Sequence, residues 1–237
     1  MKRWFALVAL LAILSLAAPS GADEEEANTP KAGLQALNEF IGDWKGSGAP
    51  EKPRPEPRET WQETVSWSWR FKGNDAWLTM TVKNGKYFKS GELRYLPGEK
   101  RYQFTAVDQA AQKLQFEGDY KNGYLTLERT EPATKELQQL KMNSAGDGLR
   151  FIYRYAHKPM GRTLFTKGYQ VACTKEGESL AARARKAECV VSGGLGTQTV
   201  SYKGQTYYIC CSGCRDAFNE DPEKYIKEFE ARKKKGP

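Results

Sequence analysis

Residues 60–82 read TWQETVSWSWRFKGNDAWLTMTV. Trp61, Glu63, Val65, Trp67 and Trp69 recur at every second position, and Ala76, Leu78, Met80 and Val82 do the same after them. A side-chain period of two is that of a strand with one face turned to a core. Turn signals follow at Asn84-Gly85, Pro97-Gly98 and Asn122-Gly123. The runs 87–95, 101–107, 113–120, 124–129, 137–143, 149–157 and 163–173 lie between or beyond them and are strand-like. That makes about nine or ten short strands at a spacing of about eight to twelve residues, with no strong helical pattern between them. The pattern predicts an antiparallel up-and-down barrel, because closure removes the exposed edges an open sheet of this size leaves. A barrel of this strand number has room for side chains or one small ligand.

Upstream, Leu34, Leu37, Phe40 and Ile41 have helical spacing and predict a short helix over 34–40. The tract 49–57, rich in proline and charge, is expected to be a loop. Gly42-Asp43-Trp44, placed just before the first expected strand, is similar to the Gly-x-Trp of lipocalins and lipocalin-like barrels. The resemblance covers roughly residues 34–175. It implies a cup for an apolar or aromatic small molecule and a tryptophan closing one barrel end against a late arginine, for which Arg154 or Arg162 would serve.

At the N-terminus, Lys2-Arg3 precede an apolar run from Trp4 to Ala18, followed by Pro19-Ser20-Gly21-Ala22. This predicts a signal peptide over 1–22, export to a periplasmic or secreted location, and no stable membrane anchor after cleavage. Residues 23–33 begin acidic and polar and are expected to be a disordered lead-in. The net charge is +8, of which Lys2 and Arg3 contribute two. Positive residues are interleaved with acids, apart from Lys233-Lys234-Lys235, and no nucleic-acid motif is present, so no nucleic-acid partner is expected.

Four of the five cysteines lie within CVVSGGLGTQTVSYKGQTYYICCSGCRDAFNEDPEKYIKEF, residues 189–229. A glycine-rich turn follows Cys189. A hairpin pattern turns at Lys203-Gly204, and a short helix follows Cys214. Asp221-Pro222-Glu223 reads as the N-cap and first turn of a second helix. Such an arrangement delivers one sulfur from a knuckle and others from a hairpin end and a helix start. Three sulfurs suit Cu(I) or Zn(II). Clustered cysteines in an exported chain are also compatible with a disulfide from Cys189 to Cys210 or Cys211.

The spacing C-x20-C-x3-C resembles the YHS domain, also called TRASH, whose hallmark is C-x(19–22)-C-x3-C. The tracts Tyr202–Tyr208 and Ile209–Cys214, Phe218 and Asp221–Tyr225 match its surrounding pattern. The resemblance implies a small treble-clef-like module that handles copper or other heavy metals, with Cys189, Cys210 and Cys214 as ligands. Cys211 is a candidate fourth ligand. Val190-Val191-Ser192-Gly193 departs from the commoner Pro-Val-Cys-Gly type of opening.

The expected fold class is mainly β. A lipocalin-like barrel over 34–175 is followed by a linker over 176–187 with helical propensity, a YHS-like α+β module over 188–231 and a basic tail over 232–237. The expected function is a non-enzymatic heavy-metal binder with a barrel for a small ligand or partner. The alternative is a disulfide-stapled adaptor with a barrel carrying an apolar ligand. No Ser-His-Asp arrangement, nucleophile elbow or phosphate loop is present. A thiol redox role for Cys211-x-x-Cys214 lacks a thioredoxin-like context. His157, the only histidine, is expected to be a polar residue near a turn, and haem is not expected. Cys173 is expected to be a free thiol.

Overall fold

The computed structural model describes residues 29–177 and 187–235. The expected signal peptide, most of the lead-in and most of the linker lie outside them.

Ten strands form one closed antiparallel barrel: β1 (Gly42–Pro50), β2 (Trp61–Lys72), β3 (Asp75–Lys83), β4 (Phe88–Leu96), β5 (Arg101–Asp108), β6 (Lys113–Lys121), β7 (Tyr124–Thr130), β8 (Leu137–Ala145), β9 (Arg150–Lys158) and β10 (Thr166–Lys175). Each strand pairs with its neighbour in sequence, and β1 closes the ring on β10, with Gly46 opposite Cys173. The alternation of 60–82 is the alternation of burial. Val65, Trp67 and Trp69 point inward, as do Ala76, Leu78, Met80 and Val82. Residues Trp44, Trp67, Trp69, Phe104, Phe116 and Phe151 are fully buried, and each large side chain taken from water contributes about 1.5–3 kcal/mol. Asn122-Gly123 has both residues at positive φ, 53° and 79°, the geometry of a tight hairpin turn that matches strand twist.

Three expectations change. The segment 42–50 is itself a strand, so Gly42-Asp43-Trp44 opens β1 rather than preceding the first strand, and the loop begins at Glu51. The first helix, α1 (Pro30–Gln35), starts earlier than expected. Thr29 caps it through its Oγ1 to the Ala32 N–H, and Pro30 occupies its first turn. Residues 29–33 of the expected lead-in are therefore ordered, and a 3-10 turn at Asn38–Phe40 follows. Trp44 is buried and donates to the Phe40 carbonyl at 2.8 Å. Its cationic cover is Lys175, with Nζ 5.2 Å from the ring centroid. Arg154 donates to Asn143 instead, and Arg162 is exposed in the β9–β10 loop. An alternating strand turns Arg154 away from the face that Tyr153 shares with Phe151.

α1 plugs the barrel end where β2 finishes and β3 begins. There Tyr102 Oη donates to the Gly33 carbonyl at 2.6 Å. Onto the same end packs the C-terminal module: the hairpin β11 (Gln198–Tyr202) and β12 (Gln205–Ile209), then α2 (Ser212–Glu220) and α3 (Pro222–Lys235). Gly213 of α2 lies so close to β2 that a Cβ there would overlap the Trp69 carbonyl. The buried side chains of barrel and module form one continuous core.

Candidate metal centre

Cys189 sits in a tight turn, with its N–H donating to the Gly194 carbonyl at 2.7 Å and the Gly193 N–H returning to its own carbonyl at 3.0 Å. Gly193 holds a positive φ of 77° that the turn requires. The Val190 N–H donates to Tyr208, stitching the turn beside β12. Cys210 follows the last residue of β12. Cys211 is the N-cap of α2, and Cys214 is in its first turn. Cys210 therefore lies before the helix rather than on one helical turn with Cys214. The bend at Cys211 still brings the two sulfurs to 3.5 Å.

The sulfurs of Cys189, Cys210 and Cys214 all lie within 4.8 Å of one another, and all three residues are buried. Zn–S and similar metal–thiolate bonds run to about 2.3 Å, so one ion between the three needs only small rotamer shifts. Cys211 is 3.9 Å from Cys210 at sulfur but falls outside the mutually close set. Cys173 is in the wall of the barrel on β10 and takes no part. All five cysteines are free thiols.

Hydrogen bonding sets where the charge of this cluster rests. The Cys189 thiol is pushed down, first by hydrogen bonds from Cys210 and Cys214 and then by Ser192, whose N–H reaches its sulfur at 3.5 Å. Cys210 is pushed up, first through its bond to Cys189, and burial pushes Cys214 up. The Cys211 thiol is also pushed down, to about 3, first by hydrogen bonds from Cys210 and Cys214. Negative charge at Cys189 and Cys211 shared with the neighbouring thiols is the arrangement that a cation replaces, releasing protons as it binds. Cys173 is pushed up to about 12, chiefly by burial, and remains an inert thiol.

The turn is held from outside by residues that sequence reading left unassigned. Ser192 is fully buried, and its carbonyl accepts from Gln35 at 3.0 Å and Asn38 at 3.1 Å. The Oδ1 of Asn38 accepts from the Trp69 indole at 3.1 Å, so one amide ties the knuckle to the barrel. From the other side Arg232 donates to the Val190 carbonyl at 2.9 Å and the Cys189 carbonyl at 3.4 Å, and it pairs with Glu188 at 3.1 Å. Arg232, expected in a basic tail, is a working part of α3, which runs to Lys235. The Asp221 cap is as expected, with Oδ1 accepting from the Lys224 N–H at 3.1 Å.

A cleft of about 290 Å³ between module and barrel reaches Cys210, Cys211 and Ser212 past Asp43, Lys175 and Thr197. At the opposite, open mouth of the barrel is a second cleft of about 600 Å³, lined in part by Tyr87, Tyr155, His157 and Tyr169. Tyr87 and Tyr169 stack with centroids 3.8 Å apart. The His157 Nδ1 lies 2.8 Å from Glu136, a whole barrel length from the cysteines.

The family model of the YHS domain matches residues 197–228. The match contains Cys210, Cys211 and Cys214, while Cys189 precedes it and joins the cluster through the folded turn. No curated protein matches the chain. A YHS domain points to metal binding, and here it comes with a compact thiol cluster. The chain thus carries a C-terminal YHS domain on the closed end of a ten-stranded antiparallel barrel.

Proposed function

We propose that this is an exported, non-enzymatic protein that holds one soft metal ion on Cys189, Cys210 and Cys214, with Cu(I) the best fit. The carrying observation is the mutual closeness of these three buried sulfurs. Soft thiolates select Cu(I) and Zn(II) among the common ions. Zn(II) in a structural site takes four protein ligands. The fourth would have to be Cys211, outside the close set, or a group arriving through the cleft beside Cys210. Three thiolates alone complete a site for Cu(I). The cleft, which reaches Cys210 and Cys211 but not the fully buried Cys189 and Cys214, supports loading and release from that side. The tyrosine-lined open mouth supports a small aromatic or apolar ligand as the barrel's cargo.

The test is metal stoichiometry and competition affinity on the reduced mature protein, with free-thiol counting. About one equivalent of Cu(I) is expected. Cys189→Ser and Cys214→Ser each abolish it, whereas Cys211→Ser keeps it. If Cys211→Ser abolishes binding and zinc is the ion retained, the site is a four-thiolate zinc site. A chain that takes no metal after gentle reduction and reloading refutes the reading, and missing free thiols in the native protein then support the disulfide-stapled alternative.

A further inference from the structure

The β9–β10 connection, residues 159–165, reads PMGRTLF. Met160 is 78% exposed and Leu164 79%, about twice the exposure of Tyr124 and Tyr208, the other large apolar side chains exposed among the described residues. The half-buried Phe165 completes the tip, with Lys158 Nζ 5.2 Å from its ring. A turn fixes the tip's shape: the Arg162 N–H donates to the Pro159 carbonyl at 3.0 Å, and Gly161 sits at a φ of 78°. Two largely exposed apolar side chains four residues apart on one defined turn mark a contact surface rather than scattered apolar residues.

Charge says what that surface meets. The loop and its flanks carry Lys158, Arg162 and Lys167 and no carboxylate. In an up-and-down barrel every second connection lies at the same end, so the β1–β2, β3–β4, β5–β6 and β7–β8 turns share this rim. Most rim carboxylates are already engaged: Glu51 by Lys167, Glu56 by Arg58, Glu59 by Lys52, Glu131 by Arg129, and Glu136 by His157. Arg54, Lys86, Lys135 and Arg162 are exposed on the same rim and form no ion pair among the described residues. An apolar tip inside a basic collar has the chemistry of an interfacial membrane contact. In such a contact an apolar tip enters the boundary between headgroups and acyl chains, and the surrounding cations meet anionic headgroups.

We propose that the β9–β10 loop is a membrane-docking tip that seats Met160, Leu164 and Phe165 in the interface of an anionic phospholipid bilayer. The contact is peripheral. It turns the open mouth toward the lipid and leaves the YHS domain, at the opposite end, facing away from it.

The test is co-sedimentation of the mature full-length protein with vesicles of phosphatidylglycerol and phosphatidylcholine, against vesicles of phosphatidylcholine alone. Binding is expected to the anionic vesicles and to weaken with salt. The double substitution Met160→Ser/Leu164→Ser is expected to weaken it about tenfold or more, and Arg162→Glu to weaken it further at low salt. All three sites are exposed, so thermal unfolding should be unchanged. Leu164→Trp should show a blue-shifted emission on binding. The proposal is overturned if the wild type does not sediment with anionic vesicles, or if the double variant binds as well as the wild type. It is also overturned if the wild type is a dimer that the double variant dissociates, which would make a second copy the occupant of the tip.

Discussion

Glu63 is a carboxylate facing into the barrel, 4% exposed, and accepts hydrogen bonds from the Tyr153 hydroxyl at 2.6 Å and the Trp61 indole at 2.7 Å. Burial raises its pKa above the ordinary glutamate value of 4.5, and the hydrogen bonds from Tyr153, Trp61 and the Lys86 backbone only partly oppose that rise. An acid whose folded pKa is raised favours the fold in its protonated form. Its contribution is complete below about pH 4.5 and is lost as pH climbs through the folded value. Glu63→Gln keeps a neutral, hydrogen-bonding group of the same shape. The wild type should therefore lose thermal stability relative to Glu63→Gln as pH rises from about 4.5 toward 8. Parallel curves of melting temperature against pH for the two proteins would show that the buried carboxylate carries no such linkage. The alternation of 60–82 placed Glu63 on the inner face, yet a carboxylate among tryptophans is legible only as a position. Its partner Tyr153 is ninety residues away, and the bond between them exists only once the barrel closes.

Helix α3 shows how an element can be read correctly and its task missed. Asp221-Pro222-Glu223 announces its start, but nothing local marks Arg232, which precedes three lysines and looks like the beginning of a solvated tail. Its role appears only because the helix runs on to Lys235 and lays the guanidinium across the carbonyls of Cys189 and Val190. Charge-assisted hydrogen bonds contribute about 1.5–3 kcal/mol each when well buried, and Arg232 is partly exposed, so the lower part of that range applies. Arg232→Ala should weaken metal binding about tenfold, equivalent to about 1.4 kcal/mol, while Lys233→Ala should leave it unchanged. Equal affinities for the two variants in a competition titration would refute the clamp. The strand β1 was missed for a different reason. GDWKGSGAP contains three glycines and a terminal proline, and its local preference for a strand is low. It is a strand because β10 and β2 offer it partners on both sides, which is tertiary information. The remaining strands, with strong alternation and turn residues between them, were legible to within a few residues, as was the cysteine spacing. What brings Cys189 to the other two sulfurs is the turn through Gly193 and its stitching to Tyr208, and only the folded chain shows that contact.

Barrel and YHS domain meet through the metal site's own support. Asn38 accepts from Trp69 of β2 and donates to Ser192 beside Cys189. Gly213, next to Cys214, lies against the Trp69 carbonyl, and Lys31 of α1 pairs with Glu228 of α3 at 2.6 Å. A ligand that binds only the folded form stabilises every part that must be folded to hold it. At a free metal concentration about a hundred times the dissociation constant this amounts to about 2.7 kcal/mol, or a rise of about 5–10 °C for a chain of this size. If barrel and YHS domain are one cooperative unit, that rise belongs to both. Tryptophan emission reports the barrel, since Trp44, Trp61, Trp67, Trp69 and Trp77 lie on its first three strands and the sixth, Trp4, falls in the expected signal peptide, and thiol protection reports the cluster. Both should move together in a single transition when metal is added. Asn38→Ala leaves the Trp69 indole without its partner and the Ser192 carbonyl with one donor fewer, a loss of about 1–3 kcal/mol. It should also reduce the metal-induced rise in the tryptophan transition more than in the thiol transition. If added metal instead shifts the thiol signal of the wild type and leaves its tryptophan transition in place, the barrel is a separate body, and the shared core between it and the YHS domain transmits nothing from the site.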